Sequence, residues 1–264
     1  EPFARVCAWQ KELVAARNAG AVPDLLLLGE HPHVITLGRN TNRANILLSK
    51  VQRTGRGVEL HEADRGGDVT YHGPGQLVGY PILNLAELRK DVVWYVRSLE
   101  EVLIRAARDF GLQATRKKST EGKRPFYTGV WVGEEKLAAL GVHISRWITS
   151  HGFAFNVTTD LRHFDLIVPC GLCDKRVTSL AKLLHATRSA QRPQPLGPTG
   201  GGLWAEHEER KQPQSNPAAP AAGLMNALKA AVIRHFAEVF NRDMQTLEPE
   251  NLEAWLGAHQ AAAS

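Results

Sequence analysis

The chain is poor in cysteine, with only Cys7, Cys170 and Cys173 among 264 residues. So small and odd a number excludes a secreted disulfide scaffold and points to a reducing compartment, where each thiol is free to react. No apolar run approaches the roughly eighteen residues that a membrane span requires; the longest, such as Leu25 to Leu28, have the length of buried strands. Blocks of like charge are also missing, although 32 Lys and Arg against 27 Asp and Glu leave a formal charge of +5. Cations interleaved with acids leave no nucleic-acid footprint, and the modest excess suits docking onto acidic proteins. At 43% hydrophobic the chain can bury a full core without disulfide or metal staples. Collagen-like, coiled-coil and wholly disordered chains are excluded.

Hydrophobic periodicity predicts a helix from Phe3 to about Asn18, carried by Phe3, Val6, Leu13 and Val14. Short apolar runs bounded by glycine predict strands at Asp24 to Leu28 and Val34 to Leu37, with a weaker helical pattern over Arg43 to Lys50. Val58 to Leu60, Val69 to Tyr71 and Leu77 to Leu83 read as further strands. The strongest helix runs from Asp91 to Phe110 and stops at Gly111. A hairpin, Thr128 to Val132 and Lys136 to Ile144, turns at Gly133-Glu134-Glu135 and is followed by a strand over Gly152 to Val157. Strands arriving in runs predict an α+β fold, a mixed or antiparallel sheet with flanking helices. The expected organisation is a main domain over 1–185, a Pro/Gly-rich flexible insertion over 186–222, and C-terminal helices over 223–264 that pack back on it.

Three features carry chemistry. Arg65-Gly66-Gly67-Asp68-Val69-Thr70-Tyr71-His72-Gly73-Pro74-Gly75-Gln76 lets backbone come close to a ligand and present N–H donors, or else forms two tight turns. It matches neither G-x-x-x-x-G-K-[ST] nor a strand-linked G-x-G-x-x-G, so a standard phosphate loop is excluded. Val168-Pro169-Cys170-Gly171-Leu172-Cys173 holds a C-x-x-C pair with no further cysteine or histidine pair to complete a zinc site and no βαβ context for redox work. A nucleophilic cysteine with a base from elsewhere in the fold is the sharper reading; a small buried hydrophobe is the bland one. Lys136, at the start of a predicted strand, is either an exposed turn charge or an amine facing a pocket. His72, His143, His151 and His163 lie near these motifs as bases or polar filler, and Asn156 either donates an amide hydrogen bond or closes a turn.

Taken in order, Arg65 to Pro81, Tyr127-Thr-Gly-Val-Trp131, Lys136 to Val142, Thr149 to Val157 and Pro169-Cys170-Gly171 closely resemble the lipoyl(octanoyl) transferases, over roughly residues 20 to 185. The resemblance implies the catalytic-domain fold of biotin and lipoate ligases. It implies transfer of an octanoyl or lipoyl group from acyl carrier protein to a specific lysine of lipoyl domains, those of 2-oxoacid dehydrogenase complexes and of the glycine cleavage H protein. By the same resemblance Cys170 is the acyl-thioester nucleophile and Lys136 the proton shuttle that activates it. Arg65, Gly66, Gly67, Asp68, Val69, Thr70, Tyr71 and His72, with Ala139, Leu140 and Gly141 and with Gly152, Phe153 and Ala154, line the acyl and pantetheine pocket. Phe153 and Phe155 stand where smaller aliphatics are common in the family, which would reshape the acyl tunnel.

Thioester-for-thioester exchange needs no ATP, and no metal or other cofactor is expected. The implied setting is a monomer in the bacterial cytoplasm, or in the mitochondrial matrix of a eukaryote, with no nucleic-acid or membrane partner. Rival readings are an ATP-dependent lipoate or biotin ligase, a cysteine acyl hydrolase and a noncatalytic carrier-binding module. The C-x-x-C spacing adds a Cys170–Cys173 disulfide that would block acylation reversibly.

Overall fold

A computed structural model describes residues 1–118, 126–168, 176–190, 221–247 and 251–263. Helix α1 (Phe3–Asn18) leads into strands β1 (Leu25–Gly29) and β2 (Val34–Leu37). The weak helical pattern that follows resolves into a 3₁₀ turn, Arg43–Asn45, and a short helix α2 (Lys50–Gly55) whose Ser49 and Gln52 cap each other reciprocally. Strands β3 (Glu59–Glu62), β4 (Val69–His72) and β5 (Gln76–Ile82) come next. A turn of helix α3 (Leu85–Leu88) precedes the long helix α4 (Val92–Asp109), which Asp91 caps through its side chain. Strands β6 (Thr115–Lys118), β7 (Phe126–Val132), β8 (Glu135–Ser145) and β9 (Ile148–Asn156), helix α5 (Leu180–Ala190), helix α6 (Ala221–Phe240) and helix α7 (Leu252–Ala263) complete the described chain.

Six strands form one antiparallel sheet in the order β1-β5-β9-β8-β7-β6, and three form a smaller sheet, β3-β2-β4, in which β2 and β3 run parallel. Strand β5 is buried along its whole length because helices cover both faces of the large sheet. On one face Leu77 packs with Leu99, Val102 and Leu103 of α4 and with Leu228, Val232 and Phe236 of α6. On the other, Val78, Tyr80 and Ala154 meet Val6 of α1, and Ile82 meets Leu13 together with Leu252 and Leu256 of α7. The alternation of side chains along β5 decides which residue goes to which helix layer.

The α+β architecture is as expected, and α6 packs on α4. The insertion boundaries shift: residues 186–190 continue α5, 221–222 begin α6, and 191–220 lie outside the described residues. Strand β6 and helices α3 and α5 carried no strong periodic signal, being short or built of polar and mixed residues. The reshaping assigned to the two phenylalanines is revised for Phe155, which does not line the cavity. Phe153 and Phe155 belong to the core shared with α4, on the face opposite Ala154, and the Phe153 ring covers the Cα of Gly79.

Candidate active site

Where β8 and β9 pair, Ala139 sits opposite Ala154 and Gly141 opposite Gly152. Four small residues side by side leave a trough in the sheet surface. The glycine-rich segment closes over it: Gly66 N–H donates to Val142 O at 2.9 Å, and Gly67 takes φ 90°, a region open to glycine. A Cβ at Gly141 would stand 2.9 Å from Gly66 O, so the close approach of loop to strand depends on glycine there.

The resulting cavity is lined by every pocket residue that the sequence singled out except Tyr71. Strand alternation explains the exception: Thr70 and His72 border the cavity, whereas Tyr71 turns into the smaller core with Ile35, Leu37 and Phe164. Its hydroxyl hydrogen-bonds His33 Nδ1 at 2.7 Å, and its ring stacks on His163, which removes His163 from the site. Phe3, Tyr80 and His151 also line the cavity. The first two were missed because helix α1 and an apolar strand look purely structural in sequence.

Arg65 is 8% exposed; its guanidinium donates to Thr36 O and to Thr36 Oγ1, both at 2.8 Å, and to Gly66 O at 3.1 Å. It thereby ties the small sheet to the loop and leaves a positive charge beside the cavity. Burial, aided by the charges of His31 and Arg65 and opposed by the Gln76 hydrogen bond, pulls the His72 pKa down to about 3. His72 is therefore a neutral imidazole at physiological pH. Facing Gln76 Oε1 at 2.8 Å, an acceptor, its Nδ1 carries the proton and donates. Burial also lowers the pKa of His151, against the raising effect of Asp64, whose carboxylate accepts from His151 Nε2 at 2.6 Å. His143 Nε2 lies 3.7 Å from the same carboxylate.

From His72 a chain of hydrogen bonds crosses the sheet. Gln76 Nε2 donates to Asn156 Oδ1 at 3.0 Å, and Asn156 Nδ2 donates to Thr178 O at 3.0 Å. Asn156 thus donates its amide as one of the two sequence readings had it, rather than closing a turn. Thr178 N–H in turn donates to Lys136 O at 2.9 Å, and Lys136 N–H donates to Arg176 O at 2.8 Å. These two bonds form a parallel bridge that brings the chain following residue 175 alongside the first residues of β8.

Lys136 is half-buried. Its ammonium lies 4.9 Å from the Trp131 ring centroid and donates to Thr128 O at 3.4 Å. Gly129 makes room for it: φ there is 141°, and a Cβ would stand 3.2 Å from Lys136 Cε and 2.8 Å from Ala138 O. Gly129 N–H is held at 3.0 Å by the fully buried Glu100, itself paired with Arg97 and Arg116. Lys136 does not line the cavity. It stands three residues before Ala139 on β8, about 10 Å along the strand at roughly 3.3 Å per residue.

Cys170 and Cys173 lie outside the described residues, as does Pro169. The flanks of that segment are described: Val168 N–H donates to Asn45 O at 2.8 Å, and Arg176 O accepts from Lys136 N–H. Residue 168 thus lies beside the turn after β2, and residue 176 lies beside Lys136.

A family model described as the lipoyl protein ligase A/B catalytic domain matches residues 2–194. The chain is 56% identical to an octanoyltransferase of Acidobacterium capsulatum over 191 residues, covering 67% of this chain and 75% of that one. It is 54% identical to an octanoyltransferase of Solibacter usitatus over 181 residues, covering 69% and 79% of the two chains. Among solved structures it resembles lipoate-protein ligase A bound with ATP, with TM-score 0.63 and 16% identity over 95% of this chain and 88% of that one. A bipartite lipoate protein ligase of Thermoplasma acidophilum matches with TM-score 0.56 and 17% identity, covering 95% and 86%. These two likenesses establish the fold of lipoate-protein ligases.

Proposed function

The chain belongs to the lipoyl protein ligase A/B catalytic-domain family and is an acyltransferase that moves octanoyl groups in protein lipoylation, and on that premise we propose that Cys170 and Lys136 carry the transfer between an acyl carrier protein and a lipoyl domain. The observation that supports the pair is the bridge between Lys136 and residues 176–178, which sets the residues that follow Cys170 by only six to eight positions against the lysine's own strand.

In the first half-reaction Lys136 Nζ takes the proton of the Cys170 thiol, and the thiolate attacks the thioester carbonyl of the donor. The bond from carbonyl carbon to pantetheine sulfur breaks, and the departing thiolate takes the proton back from Lys136 Nζ. A thioester replaces a thioester, so the step is close to isoenergetic and calls for neither ATP nor a metal. In the second half the neutral acceptor lysine attacks acyl-Cys170. Lys136 Nζ accepts the proton that the new amide nitrogen loses, and Cys170 leaves as thiolate, restoring the ion pair. Formation of an amide drives the transfer forward.

The trough of Ala139, Gly141, Gly152 and Ala154 is the proposed seat of the acyl chain, with Arg65 and the glycine-rich rim at its side. Gly66 N–H is already bonded to Val142 O, which removes it as a donor to the tetrahedral oxyanion. The acceptors are lipoyl domains of 2-oxoacid dehydrogenase complexes and of the glycine cleavage H protein. The working unit is a monomer in the bacterial cytoplasm, a setting in line with the bacterial relatives.

Intact-mass spectrometry tests this. Wild type and Cys170→Ala are mixed with octanoyl-acyl carrier protein and chased with apo-lipoyl domain. The expected result is an octanoyl adduct on wild type only, discharged as the lipoyl domain gains the same mass. An adduct that persists in Cys170→Ala, or modification that occurs only with ATP and free octanoate, overturns the assignment.

A further inference from the structure

Between Glu30 and Glu59 the chain contains no carboxylate but five cations: Arg39, Arg43, Lys50, Arg53 and Arg56. The fold gathers this stretch into one projecting arm made of the Arg43–Asn45 turn and helix α2. Arg39, Arg43, Lys50 and Arg56 are exposed. Arg43 is taken up by Glu62 at 2.7 Å, while Arg39, Lys50 and Arg56 have no ion-pair partner among the described residues. The nearest acid beyond the arm, Glu59, is paired with His61. Two apolar side chains stand among these cations, Leu47 at 56% and Val51 at 82% exposure, and no described residue buries them.

The placement of the arm matters as much as its charge. Arg39 N–H donates to Arg65 O at 3.0 Å and Asn40 N–H to Gly67 O at 3.1 Å, so the arm springs from the glycine-rich rim of the cavity. Asn45 Nδ2 donates to Asp68 Oδ2 at 2.5 Å. On its far side Leu47 N–H donates to Leu166 O at 3.0 Å, and Asn45 O accepts from Val168 at 2.8 Å. The arm therefore spans the gap between the cavity rim and the flank of the segment that holds Cys170.

We propose that this arm, Arg39 to Gly57, docks the acyl donor: an acidic carrier protein whose carboxylates pair with Arg39, Lys50 and Arg56 and whose apolar surface covers Leu47 and Val51. The proposal rests on the acyl-transfer reading above and adds where the donor sits. Charge complementarity selects an acidic partner over a neutral one and speeds its encounter. Position selects the donor over the acceptor. The acyl chain must enter at the rim from which the arm springs, whereas the acceptor amine needs only to reach the thioester.

The test measures binding and transfer separately. Holo-acyl carrier protein is titrated into wild type and into the charge-reversal variant Lys50→Glu/Arg56→Glu at low and raised salt, with circular dichroism to establish that the variant folds. The expected result is binding weakened at least tenfold in the variant and weakened by salt in wild type. Transfer from octanoyl-pantetheine, which lacks the protein surface, is expected to be unchanged. Equal carrier affinity in both proteins, no carrier binding by wild type, or a loss confined to lipoyl-domain binding overturns the proposal. Failure of the acyl-transfer reading would look different: no adduct from either donor, whatever the carrier's affinity.

Discussion

Lys136 and Arg176 are joined by a main-chain hydrogen bond of 2.8 Å, which fastens the start of β8 to the first described residue after the Cys170 segment. The bond fixes the strand that carries the lysine rather than the lysine side chain itself. A conservative change at Lys136 should therefore leave the fold intact and remove only proton transfer. Lys136→Met is expected to lower the rate of acylation by about 10²–10⁴-fold, the usual range for loss of a positioned base. Single-turnover mass spectrometry against an unchanged thermal melt checks it.

Asn156 links Gln76 to Thr178 O and so supports the bridge to Lys136 from behind. Replacing it with leucine leaves the buried Thr178 carbonyl without its side-chain donor and Gln76 Nε2 with Tyr71 O alone, which costs about 1–3 kcal/mol for the unsatisfied carbonyl. Urea denaturation of Asn156→Leu should show that loss. The acylation rate should fall as well, since Thr178 and Lys136 lose their anchor.

Burial of neutral His72 makes stability depend on pH. Its folded pKa is about 3 against about 6.5 in the unfolded chain, so the unfolded state binds the proton more readily. The contribution is fully present above pH 6.5 and is lost as the pH falls from there toward 3. Between pH 6.5 and 5 the loss from this one group is about 2 kcal/mol. His31 and His151, also lowered by burial, act in the same direction. Denaturation midpoints at several pH values should fall through this window, and His72→Gln should reduce the slope by about one proton.

Asp24 accepts from Arg17 at 2.8 Å and from Arg242 at 2.9 Å, with both the Asp24 and Arg17 side chains 8% exposed. This triad pins the loop after α1 to the end of α6. Asp24→Ala leaves Arg242 without its carboxylate and Arg17 with Glu87 alone, and is expected to cost about 1–3 kcal/mol, read from chemical denaturation. Asp24→Asn, which keeps the shape and one acceptor, should cost less.

Chain-length selection follows from the apolar trough. At about 0.8 kcal/mol per buried methylene, a hexanoyl donor loses about 1.6 kcal/mol relative to octanoyl, roughly fifteenfold in kcat/KM. Competition between octanoyl and hexanoyl carriers measures it. A ratio near one would place the chain outside the trough.

The sequence by itself determined most of the elements and the motifs that border the cavity. Apolar spacing in Val92–Asp109 with Asp91 and Gly111 at its ends marked α4, and glycine-bounded apolar runs marked the sheet, because both signals are local. The motifs named the glycine-rich rim, Ala139 to Gly141 and Gly152 to Ala154, which the fold then places around one cavity. Only the tertiary structure decided that Tyr71 leaves that cavity for the small core and that Phe153 and Phe155 face α4, since strand pairing and sheet burial set which side each residue takes. It alone recruited Phe3 and Tyr80, joined Lys136 to Arg176, and gathered the cations of 39–56 beside the rim. Those relations run between residues tens of positions apart, and spacing along a chain carries no information about contacts that only packing creates.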